Sequence, residues 1–265
     1  MWDPAQYALF GTHRARPFAD LVARVAATAP RLVVDVGCGD GTSTLTLTER
    51  WPGARVVGLD SSPDMLAAAR ANDLDGRVEW VEACAEDWGP ADLGAPIDVL
   101  LTNAALQWIP GHLDLLPRWA AALAPGGWFA MQVPDNLDSP SHRLMRRVAV
   151  RHRRYADLLP RLDRALAVAA PGEYLATLSR LGLEADVWET TYHHVLDPDG
   201  VHTSPVLEWM RATGLRPVLA VLADDAEREE FLADYAAELA RAYPREPWGV
   251  VLPFARLFAV GRRPA

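Results

Sequence analysis

Between Pro17 and Pro30 the apolar residues Phe18, Leu21, Val22 and Val25 fall on one helical face, which predicts a helix that starts near Pro17 and ends by Pro30. The period then changes. RLVVDVG is a continuous apolar, β-branched run ending in glycine, the pattern of a strand buried on both faces, and a helix follows it to about Arg50. ARVVGLD repeats the theme, with a helix from Ser62 to about Asn72; Ser62 suits the cap and Pro63 the first helical position. RVEWVEA, PIDVLLTN and GGWFAMQV read as three further strands, with a helix around His112 to Leu123 between the last two, stopped by Pro125 and Gly126. Five strands interleaved with helices predict a parallel, doubly wound sheet.

After Val133 the rhythm breaks. Residues from Pro134 to about Ala170 are helical in pattern and arginine-rich, a helix near Gly172 to Arg180 leads into the alternating EADVWETTYHHVL, and Thr203 to Tyr243 is helical again. WGVVLPFARLFAVGRR closes the chain as a strand. The last two strands are expected to pair antiparallel at one edge. The fold class is therefore α/β: a doubly wound, seven-stranded, mostly parallel sheet with an antiparallel last strand, plus a helical cap. One domain over 1–265 is expected, its cap formed by the inserted segments at about 134–170 and 203–247.

Composition narrows the partners. A formal net charge of -9 argues against a nucleic-acid surface, since phosphate binding needs a basic stripe that outweighs self-repulsion. All 26 basic residues other than histidine are arginine, whose planar fork suits carboxylates. Two cysteines, Cys38 and Cys84, are too few for a disulfide framework. MWDPAQYALFGTHRARP has no basic region followed by an apolar core, and no uninterrupted apolar run approaches the roughly 18 residues of a membrane span, so a cytoplasmic protein with no membrane partner is expected. Nothing in the residues speaks to oligomeric state.

VVDVGCGDGTST carries the most specific chemical signal. In open α/β sheets ligands lie beyond the carboxyl ends of the strands, where a glycine turn lets backbone approach them. A dinucleotide site needs Gly-x-Gly-x-x-Gly, but after Gly37 and Gly39 the third position is Thr42; a P-loop needs a lysine, and the chain has none. What remains is strand, acid, Gly-x-Gly-x-Gly and helix, with a second acid, Asp60, ending the next strand, where one carboxylate can accept from two ribose hydroxyls.

The segments DVGCGDG, GLDSSPDML, VEACAEDW and LLTNAALQWIP resemble, at matching intervals, the class I methyltransferases, which bind S-adenosylmethionine on a Rossmann-like sheet. That resemblance implies the methionine part of the cofactor along Asp35, Gly37, Cys38 and Gly39, and its ribose on Asp60 and Ser61. It implies adenine between Met65 and the segment from Ala85 and Glu86 to Trp88, and the sulfonium under the stretch from Asn103 through Ala105 to Trp108. Many relatives carry an aspartate after the third strand for the adenine amino group, where this chain has Cys84. Cysteine is a poor acceptor, so Glu86, Asp87, or backbone and water must serve, and Cys84 itself reads as a small buried filler.

Farther along, WDPAQYALFGTHRARPF, NAALQWIPGH, MQVPDN, VWETTYHH, EWMRATGLRP and FARLFAVGRR look like the trans-aconitate 2-methyltransferase family. The resemblance implies esterification of one carboxylate of a small tricarboxylate, with S-adenosylhomocysteine as the other product. A carboxylate is ionised at neutral pH because its unperturbed pKa is about 4. No general base is needed and no catalytic residue is expected, only positioning and electrostatics. Burying the acceptor's charges does need cations. The candidates are Arg14 and Arg16 near the start, Arg216 in the cap and Arg256 within the last strand, with Gln132, Asn136, Tyr192, His193 and His194 as orienting groups. Arg143, Arg147 and Arg151 share one helical stripe that reads as a solvated face. Of the tandem His193 and His194 at most one points inward. The remaining histidines are too scattered for a metal.

Three alternatives stay open. Another small carboxylic acid is one. The second, a natural-product hydroxyl or carbon, would need a base from the tandem histidines. The third, a cofactor-binding module without activity, is opposed by the intact glycine turn and Asp60.

Overall fold

The computed structural model describes residues 11–163, 168–211, 214–222 and 224–265; the opening motif before Gly11 lies outside them. Strands β1 (Leu32–Val36), β2 (Arg55–Asp60), β3 (Val78–Glu82), β4 (Ile97–Asn103) and β5 (Leu123–Pro134) pair in parallel, β1 lying between β2 and β4. The full order is β3-β2-β1-β4-β5-β8-β6, with β6 spanning Glu184–Leu196 and β8 spanning Gly249–Arg262. It is the expected mostly parallel seven-stranded sheet with an antiparallel strand. A two-residue β7 (Arg245–Glu246) pairs antiparallel with the start of β8 around a tight turn at Pro247 and Trp248. The order changes direction between β1 and β4, so the loops leaving these two strands open a crevice at their carboxyl ends.

The chain divides into two compact units. The sheet unit comprises the described residues of 15–134, 167–189 and 257–265. All five residues of β1 are buried, which is why the strand reads as an apolar run broken only by Asp35. Its core gathers Val34, Leu59, Leu100, Trp119, Phe129 and Leu257. The carboxylate of Asp98 accepts from the backbone N–H groups of Arg31 (2.7 Å) and Leu32 (3.0 Å), closing the entry to β1. Helix α1 (Gly11–Arg24) begins ahead of the expected start and carries Pro17 in its interior. Proline there costs about 3 kcal/mol, but Phe18, Leu21, Val22 and Val25 are all buried, each contributing on the order of 2 kcal/mol.

Helices α2 (Thr42–Arg50) and α3 (Pro63–Asn72) follow β1 and β2. As expected, Ser62 caps α3, its Oγ accepting from Met65 N–H at 3.4 Å, and Pro63 opens the first turn. Before α4 (Leu116–Ala122) a 3-10 turn occupies His112–Leu115, where a continuous helix was expected. His112 explains the departure: its Nδ1 hydrogen-bonds Ile109 O at 3.1 Å and its Nε2 meets Tyr174 Oη at 2.7 Å, which ties this turn to α7 (Pro171–Arg180).

The helical unit comprises the described residues of 135–166 and 190–256, together with 11–14. It holds α5 (Pro140–Arg151), α6 (Tyr155–Asp163), α8 (Pro205–Arg211), α9 (Arg216–Val221) and α10 (Asp225–Ala242). Its own core is formed by Met145, Leu158, Trp209, Leu215, Phe231 and Leu252. Asp224 caps α10 by accepting from Glu227 N–H at 3.0 Å. Glu238 receives Arg147 at 2.5 Å, Arg151 at 2.8 Å and Arg241 at 3.0 Å. The Arg147 and Arg151 stripe is therefore a structural contact between α5 and α10, not a bare solvated face. Among the described residues no helix is long and apolar enough to cross a membrane.

Candidate active site

The glycine turn sits at the carboxyl end of β1. Gly37, Gly39 and Gly41 all have positive φ, at 78°, 57° and 75°, so the backbone coils tightly before α2 begins at Thr42. The N–H groups of Gly37 (2.8 Å) and Cys38 (3.0 Å) donate to Leu59 O, and Gly39 N–H donates to Asp60 Oδ2 at 3.0 Å. Asp60 Oδ1 accepts from Ser62 N–H at 2.9 Å. The two bonds fix the carboxylate, and each oxygen keeps a lone pair for a further donor. A side chain at Gly37 would put its Cβ 2.4 Å from the Cβ of Ala105. The β1 turn thus touches the loop after β4. At Gly39 nothing among the described residues lies within 4 Å of the missing Cβ: there the turn faces open space between them.

Electrostatics make this turn anionic. Asp35 is buried, 2% exposed, and accepts from Thr44 Oγ1 at 2.6 Å. Its carboxyl is raised from 3.8 to about 6, first by burial and then by the charge of Asp60; the Thr44 bond opposes the shift. The Cys38 thiol is pushed up strongly by burial and by Asp35, Asp60 and Asp40. Such a site repels phosphates and suits a cationic ligand. Open space at Gly39, spare acceptors on Asp60 and surrounding carboxylates fit a ribosyl cofactor that carries positive charge.

The other expected cofactor residues ring the same strand ends. Met65 is half-buried near the start of α3 and Ser61 is exposed beside Asp60. Arg118 of α4 donates from one Nη2 to Ala85 O at 3.0 Å and Glu86 O at 2.8 Å, anchoring the segment expected at adenine. Cys84 is exposed, contrary to the buried filler expected; its carbonyl instead accepts from Asp87 N–H (3.1 Å) and Trp88 N–H (2.9 Å), and Trp88 fills the core. Asn103 ends β4 in register with Gln132 of β5, which is buried. Trp108, 45% exposed, is not core packing. Thr44, Gln107 and Arg118 support the site and were not singled out in the sequence, because each acts through a bond that residue types alone do not reveal.

Of the residues expected at the acceptor, Arg16 and Gln132 belong to the sheet unit; Arg16 is exposed on α1. The side chain of Arg14 lies outside the described ones. Tyr192, His193, Arg216 and Arg256 belong to the helical unit. Alternation along β6 exposes His193 and buries His194, so the inward histidine is His194 and His193 is corrected to an outward position. The His194 ring stacks between Tyr192 (6.1 Å) and Trp209 (5.1 Å). Arg256 is 6% exposed, its guanidinium 4.5 Å from the Phe254 ring centroid. Asn136 fixes the preceding residue: its Nδ2 donates to Ala255 O at 2.9 Å and its Oδ1 accepts from Ala255 N–H at 2.8 Å. Burial lowers the Arg216 guanidinium from its usual value.

A separate groove of about 800 Å³ opens at the amino ends of β1, β4 and β5. Charged residues on its walls pair locally, Arg24 with Asp186 at 3.2 Å and Arg262 with Glu184 at 3.6 Å, and no expected cofactor residue lines it. Among the described residues no group of three metal-ligating side chains converges.

A family model for a methyltransferase domain matches residues 33–127. The trans-aconitate 2-methyltransferase of Streptomyces avermitilis is 50% identical over 273 residues, covering 100% of this chain and 97% of the relative. That of Methylobacterium nodulans is 50% identical over 264 residues, covering 99% and 98%. Phosphoethanolamine N-methyltransferase 2 of Haemonchus contortus, solved with S-adenosyl-L-methionine, superposes with a TM-score of 0.55 at 16% identity over 94% of this chain and 53% of that one, a likeness of fold. With half its residues shared along the whole chain, helical unit included, the protein belongs to the trans-aconitate 2-methyltransferase family of S-adenosylmethionine-dependent enzymes.

Proposed function

We propose that the enzyme transfers the methyl group of S-adenosylmethionine to one carboxylate of trans-aconitate, forming a monomethyl ester. The observation that carries this reading is whole-length identity to relatives of that name, the helical unit included. The bound cofactor supplies an activated methyl on a sulfonium. The protein's part is binding, orientation and exclusion of water. Asp60 accepts from the ribose hydroxyls; Asp35 and Asp40 balance the cofactor's positive charge. The acceptor carboxylate needs no deprotonation, so the reaction calls for no general base. Arg256, buried against Phe254, supplies the acceptor with a cation that water does not screen. Arg16, Gln132, Tyr192 and Arg216 remain further candidates on the acceptor side. A comparison of acceptors tests the reading: removing one carboxylate from trans-aconitate lowers kcat/KM by about tenfold or more. An uncharged hydroxyl or carbon acceptor turned over faster than every tricarboxylate would overturn it.

Cofactor affinity should depend on pH through Asp35. In the free protein its carboxyl titrates near 6, and the positive ligand favours the ionised form, so binding releases a proton below that pH. Affinity falls by up to about tenfold per pH unit between 6 and 4. The sign for folding is opposite. Because the folded pKa lies above the unfolded one, the contribution of Asp35 to stability is full below pH 4 and is lost as pH rises to about 6. Calorimetric titration of the wild type and Asp35→Asn checks this, and equal pH slopes in the two would contradict it.

Arg118→Ala leaves two carbonyls of the adenine segment to water. It should raise KM for the cofactor by about three- to tenfold with kcat unchanged, because a net hydrogen bond contributes about 1 kcal/mol. Steady-state kinetics at saturating acceptor decide the point.

A further inference from the structure

Ala104, directly after β4, has φ 54°, a left-handed conformation that costs an alanine about 1–2 kcal/mol. Such strain persists only where neighbours over-determine it. Here they do so from both sides of the residue. Ala104 N–H donates to Gln132 O at 2.8 Å, and Ala104 O accepts from Gln107 Nε2 at 2.6 Å. Gln107 is 4% exposed, so water does not replace that bond cheaply. Only the amide NH2 can donate to a carbonyl, which fixes the orientation of the side chain and leaves its buried Oε1 without a partner among the described residues. The next residue, Ala105, is the one whose Cβ occupies the space over Gly37. The backbone angle at Ala104 therefore sets the gap between the β4 loop and the glycine turn.

We propose that Gln107 is a positioning residue for methyl transfer: by holding Ala104 in its left-handed conformation it fixes the separation of the two loops that flank the methionine half of the cofactor. This rests on the function proposed above. If the wild type moves no methyl group, that reading fails; if it does, the following variants judge Gln107 alone.

Gln107→Leu removes the donor while keeping an apolar side chain of similar length. It should lower kcat at saturating cofactor by about tenfold, the equivalent of one buried hydrogen bond. Glycine adopts positive φ without penalty, so in an Ala104→Gly background the same replacement should cost less than about threefold. Gln107→Glu adds a readout that general destabilisation does not give. Its carboxyl can donate to Ala104 O only when protonated, so its kcat should rise as pH falls below neutral while that of the wild type, also measured at saturating cofactor, does not. Equal losses from Gln107→Leu in both backgrounds, full activity of Gln107→Leu, or a wild-type pH profile for Gln107→Glu would each overturn the proposal. Should Gln107→Leu fail to fold, the Gln107→Glu profile decides.

Discussion

Gly37→Ala is expected to weaken cofactor binding by about a hundredfold. Two costs combine. At φ 78° an alanine is disfavoured by about 1–2 kcal/mol, and its Cβ would stand 2.4 Å from that of Ala105, so the β4 loop must retreat at a further cost of about 1–3 kcal/mol. Roughly 3 kcal/mol of lost complementarity is about a hundredfold in affinity. Gly39→Ala is the informative companion. It bears the same backbone cost at φ 57° but meets nothing among the described residues within 4 Å, so the free protein should lose only about 1–2 kcal/mol of stability. If its affinity for the cofactor nonetheless drops as far as that of Gly37→Ala, the open space is where the ligand lies. Calorimetry with S-adenosylhomocysteine reads both variants, and unchanged affinity in Gly37→Ala would refute the close contact as a determinant of the site.

Arg256→Met is expected to raise KM for trans-aconitate by about a hundredfold and leave cofactor affinity unchanged. Methionine keeps an unbranched stem against Phe254 and removes the charge. Deleting one member of a buried charge pair costs about 2–5 kcal/mol, most of it from leaving the other charge unmatched. Arg256→Lys should recover part of the loss, since a point charge replaces the fork. An unchanged KM for the acid would remove Arg256 from the acceptor site.

Much of the sheet could be read from the chain because β1, β2, β4 and β5 are mostly buried strands whose apolar residues run together instead of alternating with polar ones. The glycine turn was equally legible, since its spacing excludes two other cofactor cradles. Elsewhere the information lies in contacts between distant residues. Pro17 read as a helix start because a proline inside a helix is costly, and only the buried face of α1 offsets that cost. Alternation allowed at most one of His193 and His194 to face inward, and which one depended on which face of β6 meets Trp209 and Phe254. Cys84 looked like buried filler; its exposure follows from the turn that sends Trp88 into the core in its place. Thr44, Gln107 and Arg118 matter for hydrogen bonds to Asp35, Ala104 and the Ala85–Glu86 carbonyls, and composition says nothing of these. A two-residue β7 is too short to show any period.

The most direct test is single-turnover transfer from methyl-labelled S-adenosylmethionine to trans-aconitate, with the product read by carbon NMR. The label should appear as one base-labile methyl ester on a carboxylate, in amount equal to the S-adenosylhomocysteine released. Cofactor binding without label on the acid, or label on carbon or on a base-stable ether, would contradict it.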